Sequence, residues 1–212
     1  MVFGEALNHS LSPDVMRIFQ FHISLPGCSF PIWRRFRVTE DYRFDRFHQV
    51  IQLVMGWKNY HLHEFSIQSR RVGMVLGIDD ETTEPEDETT LRLKDFRLKP
   101  QDHLEYLYDF GDHWQHLLKL ESISGGMLTA PECIAGAGRC PTENSGGIDR
   151  YLCLLEARNN PQHPDSAFWA NDAEEGFDPI TFPIEKVNAE LEFFGLWHNK
   201  YPASKSTPWP QL

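Results

Sequence analysis

Apolar residues recur at nearly every second position from Arg17 to Leu25, at Ile18, Phe19, Phe21, Ile23 and Leu25, and this short period predicts a strand. Pro26-Gly27 then turns the chain into a second run, Pro31 to Val38, rich in Trp, Phe and Ile, so that a hairpin or two neighbouring strands are expected. Next the period lengthens. Phe44, Phe47, Ile51, Val54 and Met55 stand at helical spacing, predicting a helix over about 43–56 with Gly56 as a left-handed cap. From His61 to Gln68 alternation returns, with His61, His63, Phe65 and Ile67 on one face and Leu62, Glu64, Ser66 and Gln68 on the other.

Further along, the acidic stretch from Asp79 to Thr90 lacks apolar residues and reads as a solvated loop, and Leu91 to Leu98 suits a strand or a short helix. His103 to Phe110 places Leu104, Tyr106, Tyr108 and Phe110 on one strand face, and Trp114, His116, Leu118 and Leu120 share a face of the next. Gly111-Asp112 between them suits a two-residue type II′ turn. Residues 124–147 hold six glycines and read as one long loop, a length that compact domains usually keep for function. Ile148, Tyr151, Leu152 and Leu155 predict a helix ending before Pro161, and His163 to Trp169 suits a short one. Ile184, Val187, Leu191 and Phe194 predict another helix, stopping at Gly195. The expected organisation is a loosely held arm over 1–15, one domain over 16–196, and an extended, proline-containing tail over 197–212. The fold class is α+β: a single, mostly antiparallel sheet with helices packed on one face, opening in a β-grasp-like order of strand, strand, helix, strand.

Composition sharpens this in three ways. With 41% apolar and 13% aromatic residues, the chain can fill a core. Its net charge of −11 disfavours phosphate backbones, although Arg34, Arg35, Arg37, Arg43, Arg46, Arg70 and Arg71 crowd the first third. Four cysteines, with neither a signal-like start nor an apolar run of membrane-spanning length, suggest reduced thiols in a cytoplasmic protein away from the membrane.

The densest chemistry lies in Tyr108-Asp109-Phe110-Gly111-Asp112-His113-Trp114 and in His61-Leu62-His63-Glu64-Phe65. Imidazoles and carboxylates suit divalent metals or acid–base work, and His61, His63, Asp109, Asp112 and His113 would form such a set if their strands were neighbours. The plainer reading is that the histidines hydrogen-bond within an aromatic sheet face, while Asp112 serves the turn and Asp109 accepts backbone or arginine donors. No serine or cysteine is evidently paired with a base. Cys133 and Cys140, six residues apart, lack the short spacing of a zinc knuckle, so neither a metal nor a cofactor is expected. Trp33-Arg34-Arg35-Phe36-Arg37 interleaves arginines with aromatics as nucleic-acid surfaces do, but such an edge equally pairs with the protein's own acids.

Pro31-Ile32-Trp33-Arg34-Arg35, His48-Gln49-Val50-Ile51-Gln52, Met55-Gly56-Trp57, His61 to Phe65, Tyr108 to Asp112 with Trp114, and Cys133 to Gly147 follow one another between about residues 17 and 191. In these clusters and their order the chain resembles the plasmid pRiA ORF-3-like family, the open-reading-frame-three proteins of Ri plasmids. The resemblance implies a cytoplasmic α+β domain of uncharacterised function, some relatives being labelled insertion-element passengers with a resolvase-like name. One departure is Ser145, where relatives often carry a cysteine before the Gly-Gly pair. The leading expectation is a non-enzymatic binding or interaction module with an unknown protein or small-molecule partner. Its surface would use His61, His63, Glu64, Asp109, Asp112, His113 and Trp114. The alternatives are a mobile-element accessory protein contacting DNA through Arg34, Arg35 and Arg37, and a metal-dependent hydrolase built on the His/Asp set.

Overall fold

The computed structural model describes residues 16–77, 84–158, 160–171 and 177–200. Alternation in the first two apolar runs gives β1 (Arg17–Leu25) and β2 (Ile32–Thr39), an antiparallel hairpin in register from Ile18 opposite Thr39 to Leu25 opposite Ile32. They join β3 (His63–Ile67), β4 (Arg70–Gly73), β5 (Glu86–Asp87), β6 (His103–Tyr108), β7 (Trp114–Gly125) and β8 (Glu132–Ala137). The result is one eight-stranded sheet in the order β5-β4-β3-β6-β7-β1-β2-β8. Every neighbouring pair is antiparallel except β4 with β5. The fold is thus α+β, and its β-grasp likeness lies in the element order, since β6 and β7 intervene between β3 and β1.

Helix α1 (Phe44–Met55) crosses the inner face and ends where Gly56 takes φ 99° and returns its N–H to the Gln52 carbonyl. Phe47 meets Phe21, Phe36 and Phe65 at ring separations of 5.2, 6.1 and 5.7 Å. Each fully buried phenyl of this kind is worth about 2–3 kcal/mol of apolar transfer. The other face of β1 and β2 carries Gln20, His22, Ser24, Trp33, Arg35 and Arg37, all half-buried, the usual solvated side of an antiparallel sheet. Helices α2 (Gly147–Ala157) and α3 (Ser166–Asn171) follow, and α4 (Ile184–Lys200) packs on β8 and α1.

The structure corrects several expectations. The stretch 124–147 is not one loop: its start completes β7 and its middle is β8, which pairs with β2 at the sheet edge. Its glycines hid this strand, although one of them serves packing, because a Cβ at Gly136 would stand 2.5 Å from the Phe182 ring. The acidic stretch is not wholly solvated either. Glu86–Asp87 form β5 and Glu88 is buried, while the part over 78–83 lies outside the described residues. Leu93–Phe96 form a single 3-10 turn. Helix α4 runs through Gly195 to Lys200. There the glycine admits a close neighbour, Ala130, which a Cβ would approach to 2.4 Å, and so is no cap. The arm over 1–15 lies outside the described residues, as does 201–212 of the tail expected over 197–212, whose first residues, 197–200, instead continue α4. Among the described residues no helix is long and apolar enough to cross a membrane.

Arg34 is spent inside the fold. It is 1% exposed and donates to the carbonyls of Val54 (2.6 Å), Trp33 (2.8 Å), Ala137 (2.8 Å) and Met55 (3.4 Å), with its guanidinium 3.9 Å from the Phe182 ring centre. It thereby satisfies carbonyls at the C-terminus of α1 and ties that helix to β8. Burial lowers its pKa to about 10.

Candidate functional site

Residues 58–62, 109–113 and 142–147 meet at one end of β3, β6 and β7. The hairpin loop joining β6 to β7 is longer than the two-residue type II′ turn suggested by Gly111-Asp112, because Tyr108 pairs directly with Trp114 and five residues, 109–113, lie between them. Asp109 and His113, both at φ 57°, take the left-handed conformation, and Gly111 does not. Asp109 makes this possible: its Oδ1 accepts the Gly111 N–H at 2.9 Å and the Asp112 N–H at 3.3 Å, an Asx turn that tolerates positive φ. The Asp109 N–H donates to the Leu62 carbonyl at 2.9 Å, which seats the loop on the segment leading into β3.

The third segment closes on the same spot through glycine. Gly146 and Gly147 have φ 86° and 79°, and a Cβ at Gly147 would lie 2.6 Å from the Asp112 carbonyl oxygen. This approach lets the Gly146 N–H donate to Asp112 Oδ2 at 2.9 Å. It also delivers Glu143, whose Oε1 accepts the Lys58 N–H at 2.6 Å and the Tyr108 hydroxyl at 2.9 Å. Burial, and next the Glu143 carboxylate, push the Tyr108 hydroxyl well above its ordinary pKa.

His61 completes the corner. Its Nε2 lies 3.4 Å from Asp109 Oδ2 and 3.7 Å from Glu143 Oε2, within ion-pair range of both but aligned for a hydrogen bond with neither. Exposed apolar groups flank it: Tyr60 is 57% exposed, Phe110 50% and Leu62 37%. Phe110 therefore leaves the strand face on which its spacing places it, because the Asx turn rotates the chain after Tyr108.

Several residues expected in this patch lie elsewhere. His63 points into the core, its Nε2 2.6 Å from Glu88 Oε2 and its ring stacked on His48 at 3.4 Å and 4°. His48 lies on a closed ring of contacts: Gln52 donates to the Tyr106 hydroxyl (2.8 Å), which lies 2.8 Å from His48 Nδ1. His48 Nε2 is 2.7 Å from Asn59 Oδ1, and the Asn59 N–H donates back to Gln52 Oε1 at 2.8 Å. A neutral His48 protonated on Nε2 satisfies every link. Burial drives His48 and His63 below, and Glu88 above, their ordinary pKa values. Trp114 is fully buried in the core. Glu64 pairs outward with Arg71 at 2.5 Å, and His113 is exposed at the loop end. The His/Asp hydrolase constellation is thus divided, since His63 is committed to Glu88. Among the described residues no group of three His, Cys, Asp or Glu side chains is spaced to hold a metal ion. Arg35 forks onto Glu121 at 2.5 and 2.7 Å, and Arg37 faces Gln20 and Glu132 at 3.2 and 3.6 Å, so these arginines have acidic or amide partners of their own. Glu143 escaped sequence reasoning because nothing local distinguishes it; only the Gly-Gly pair after it hints at a close approach.

Residues 17–186 match the family of plasmid pRiA4b ORF-3-like proteins. The chain belongs to that family. Its relatives include the uncharacterized protein y4hQ of Sinorhizobium fredii, 33% identical over 186 residues that cover 84% of this chain and 92% of that protein. Among solved structures it is similar to MM3350, a protein of unknown function from Methanosarcina mazei Go1, with a TM-score of 0.71 and 30% identity over 81% of this chain and 97% of the other. The matched regions therefore span nearly all of both relatives, and the solved structure shares the fold of this chain.

Proposed function

We propose that this ORF-3-like protein is a binding module, and that its recognition surface is the corner formed by His61, Asp109, Asp112 and Glu143 with Tyr60, Leu62 and Phe110. One observation carries the reading. Backbone geometry at three separate segments is specialised to bring carboxylates and an imidazole together, and exposed aromatic residues stand beside them. Large exposed aromatics beside half-buried polar groups are the composition of recognition sites. The Ser145 hydroxyl in the third segment donates to the Thr142 carbonyl at 2.8 Å and not to a basic side chain, which favours binding over turnover.

The test uses the full chain as bait, alongside a Tyr60→Ser/Phe110→Ser double variant whose unfolding curve matches that of the original. A discrete partner retained by the first and lost by the second supports the reading. Equal retention by both, or none by either, contradicts it.

A further inference from the structure

A donor count across the corner narrows what it binds. Asp109 Oδ1 and Glu143 Oε1 each receive two donors: backbone N–H groups for the first, and a backbone N–H with the Tyr108 hydroxyl for the second. Among the described residues, the remaining oxygens, Asp109 Oδ2 and Glu143 Oε2, share only the His61 Nε2 lying between them. An imidazole Nε2 carries at most one proton for the two oxygens. Glu143 has a side chain only 6% exposed, yet its Oε2 is without a hydrogen-bond partner. His61 Nε2 is likewise buried without one. A carboxylate oxygen held off solvent and short of donors, as Glu143 Oε2 is, attracts a cation that carries several.

Resting on the binding reading above, we propose that the corner receives the guanidinium of an arginine in a partner protein. A guanidinium carries five N–H donors in a planar fork, enough for both open carboxylate oxygens at once. Its flat faces suit the exposed rings of Tyr60 and Phe110, and its charge suits a chain with a formal net charge of −11. His61, with a side chain 27% exposed, occupies the space between the carboxylates in the free protein and swings aside on binding.

The probe is arginine amide, N-acetylated like its two controls so that only the side chain carries charge, titrated into the ¹⁵N-labelled full chain and followed by amide chemical shifts, with citrulline amide as the uncharged isostere and glutamate amide as the opposite charge. Arginine amide is expected to give saturable shifts at residues 58–62, 109–113 and 143–147. Citrulline amide and glutamate amide are expected to leave them in place. Glu143→Gln and Asp109→Asn, each of which keeps an oxygen for the donors already bound, are expected to weaken the response about tenfold. Three outcomes overturn the inference: no shifts with arginine amide, equal shifts with citrulline amide, or an unchanged response in both folded variants. Partner retention that needs Tyr60 and Phe110 without any arginine response would sink the guanidinium while leaving the binding surface standing.

Discussion

Two histidines two residues apart, His61 and His63, lie at or beside the start of the same strand and meet opposite fates. His63 pairs with Glu88 and stacks on His48, which belongs to an interior ladder with Tyr106, Gln52 and Asn59 whose donors and acceptors are matched link by link. His61 belongs to a rim cluster in which the acceptors outnumber the donors. The contrast shows how to separate polar groups that hold a fold from polar groups held ready for something else. A matched buried network rigidifies its surroundings, whereas a mismatched one costs stability and persists only where surrounding structure enforces it.

The largest expected effect comes from acid acting on the interior. His116 is fully buried, with Nε2 accepting from the Trp57 indole at 3.2 Å and Nδ1 facing the Trp114 carbonyl at 3.0 Å, and burial lowers its pKa from 6.5 to about 4. Because the folded value is the depressed one, its stabilising contribution is present above pH 6.5 and is lost as pH falls toward 4. The loss amounts to about 3 kcal/mol for this residue. His48 and His63, also lowered, act in the same direction; Glu88, raised to about 7, acts oppositely and loses its contribution as pH rises through that value. Urea unfolding from pH 7 to pH 4 should show the fall, and His116→Gln, which keeps an acceptor for Trp57 but cannot titrate, should flatten it. An equally steep fall in that variant would contradict the assignment.

Next in size is Tyr106→Phe. It strips the ladder of the hydroxyl shared by Gln52 and His48 and should cost about 1–3 kcal/mol in urea unfolding, since two buried groups lose their partner at once. Gly147→Ala should cost about 1–2 kcal/mol through its positive φ and its contact with the Asp112 carbonyl. It should also broaden or displace the amide signals of 109–113 while leaving the β1–β2 hairpin unmoved, which a two-dimensional amide spectrum reads directly.

The legible and illegible parts of this chain follow the same division. Periodicity alone placed β1, β2, α1 and the β6–β7 pair, because their faces are buried continuously and the pattern registers it. The sequence put His61 beside Asp109 and Asp112 only on the condition that their strands were neighbours; the structure brings His61 to Asp109, and the approach of Gly146 to Asp112 had no signal of its own. Long-range packing hid the rest. Gly136 and Gly195 read as loop and cap because their partners, Phe182 and Ala130, are remote in sequence. Glu88 read as solvated because its neighbours are acidic, while its partner His63 lies 25 residues away. Gly111 drew the turn to itself, although the side chain of Asp109 shapes it.

The smallest stability effect is the most telling. In Glu143→Gln the amide oxygen can keep the Lys58 and Tyr108 donors, and the amide nitrogen brings a donor to the side where His61 and Asp109 wait. Urea unfolding of this variant at pH 7 should show stability unchanged within about 0.5 kcal/mol, or increased, beside the clear loss in Tyr106→Phe. A destabilisation of Glu143→Gln as large as that of Tyr106→Phe would place the corner with the structural ladder and contradict its role as a site held short of donors.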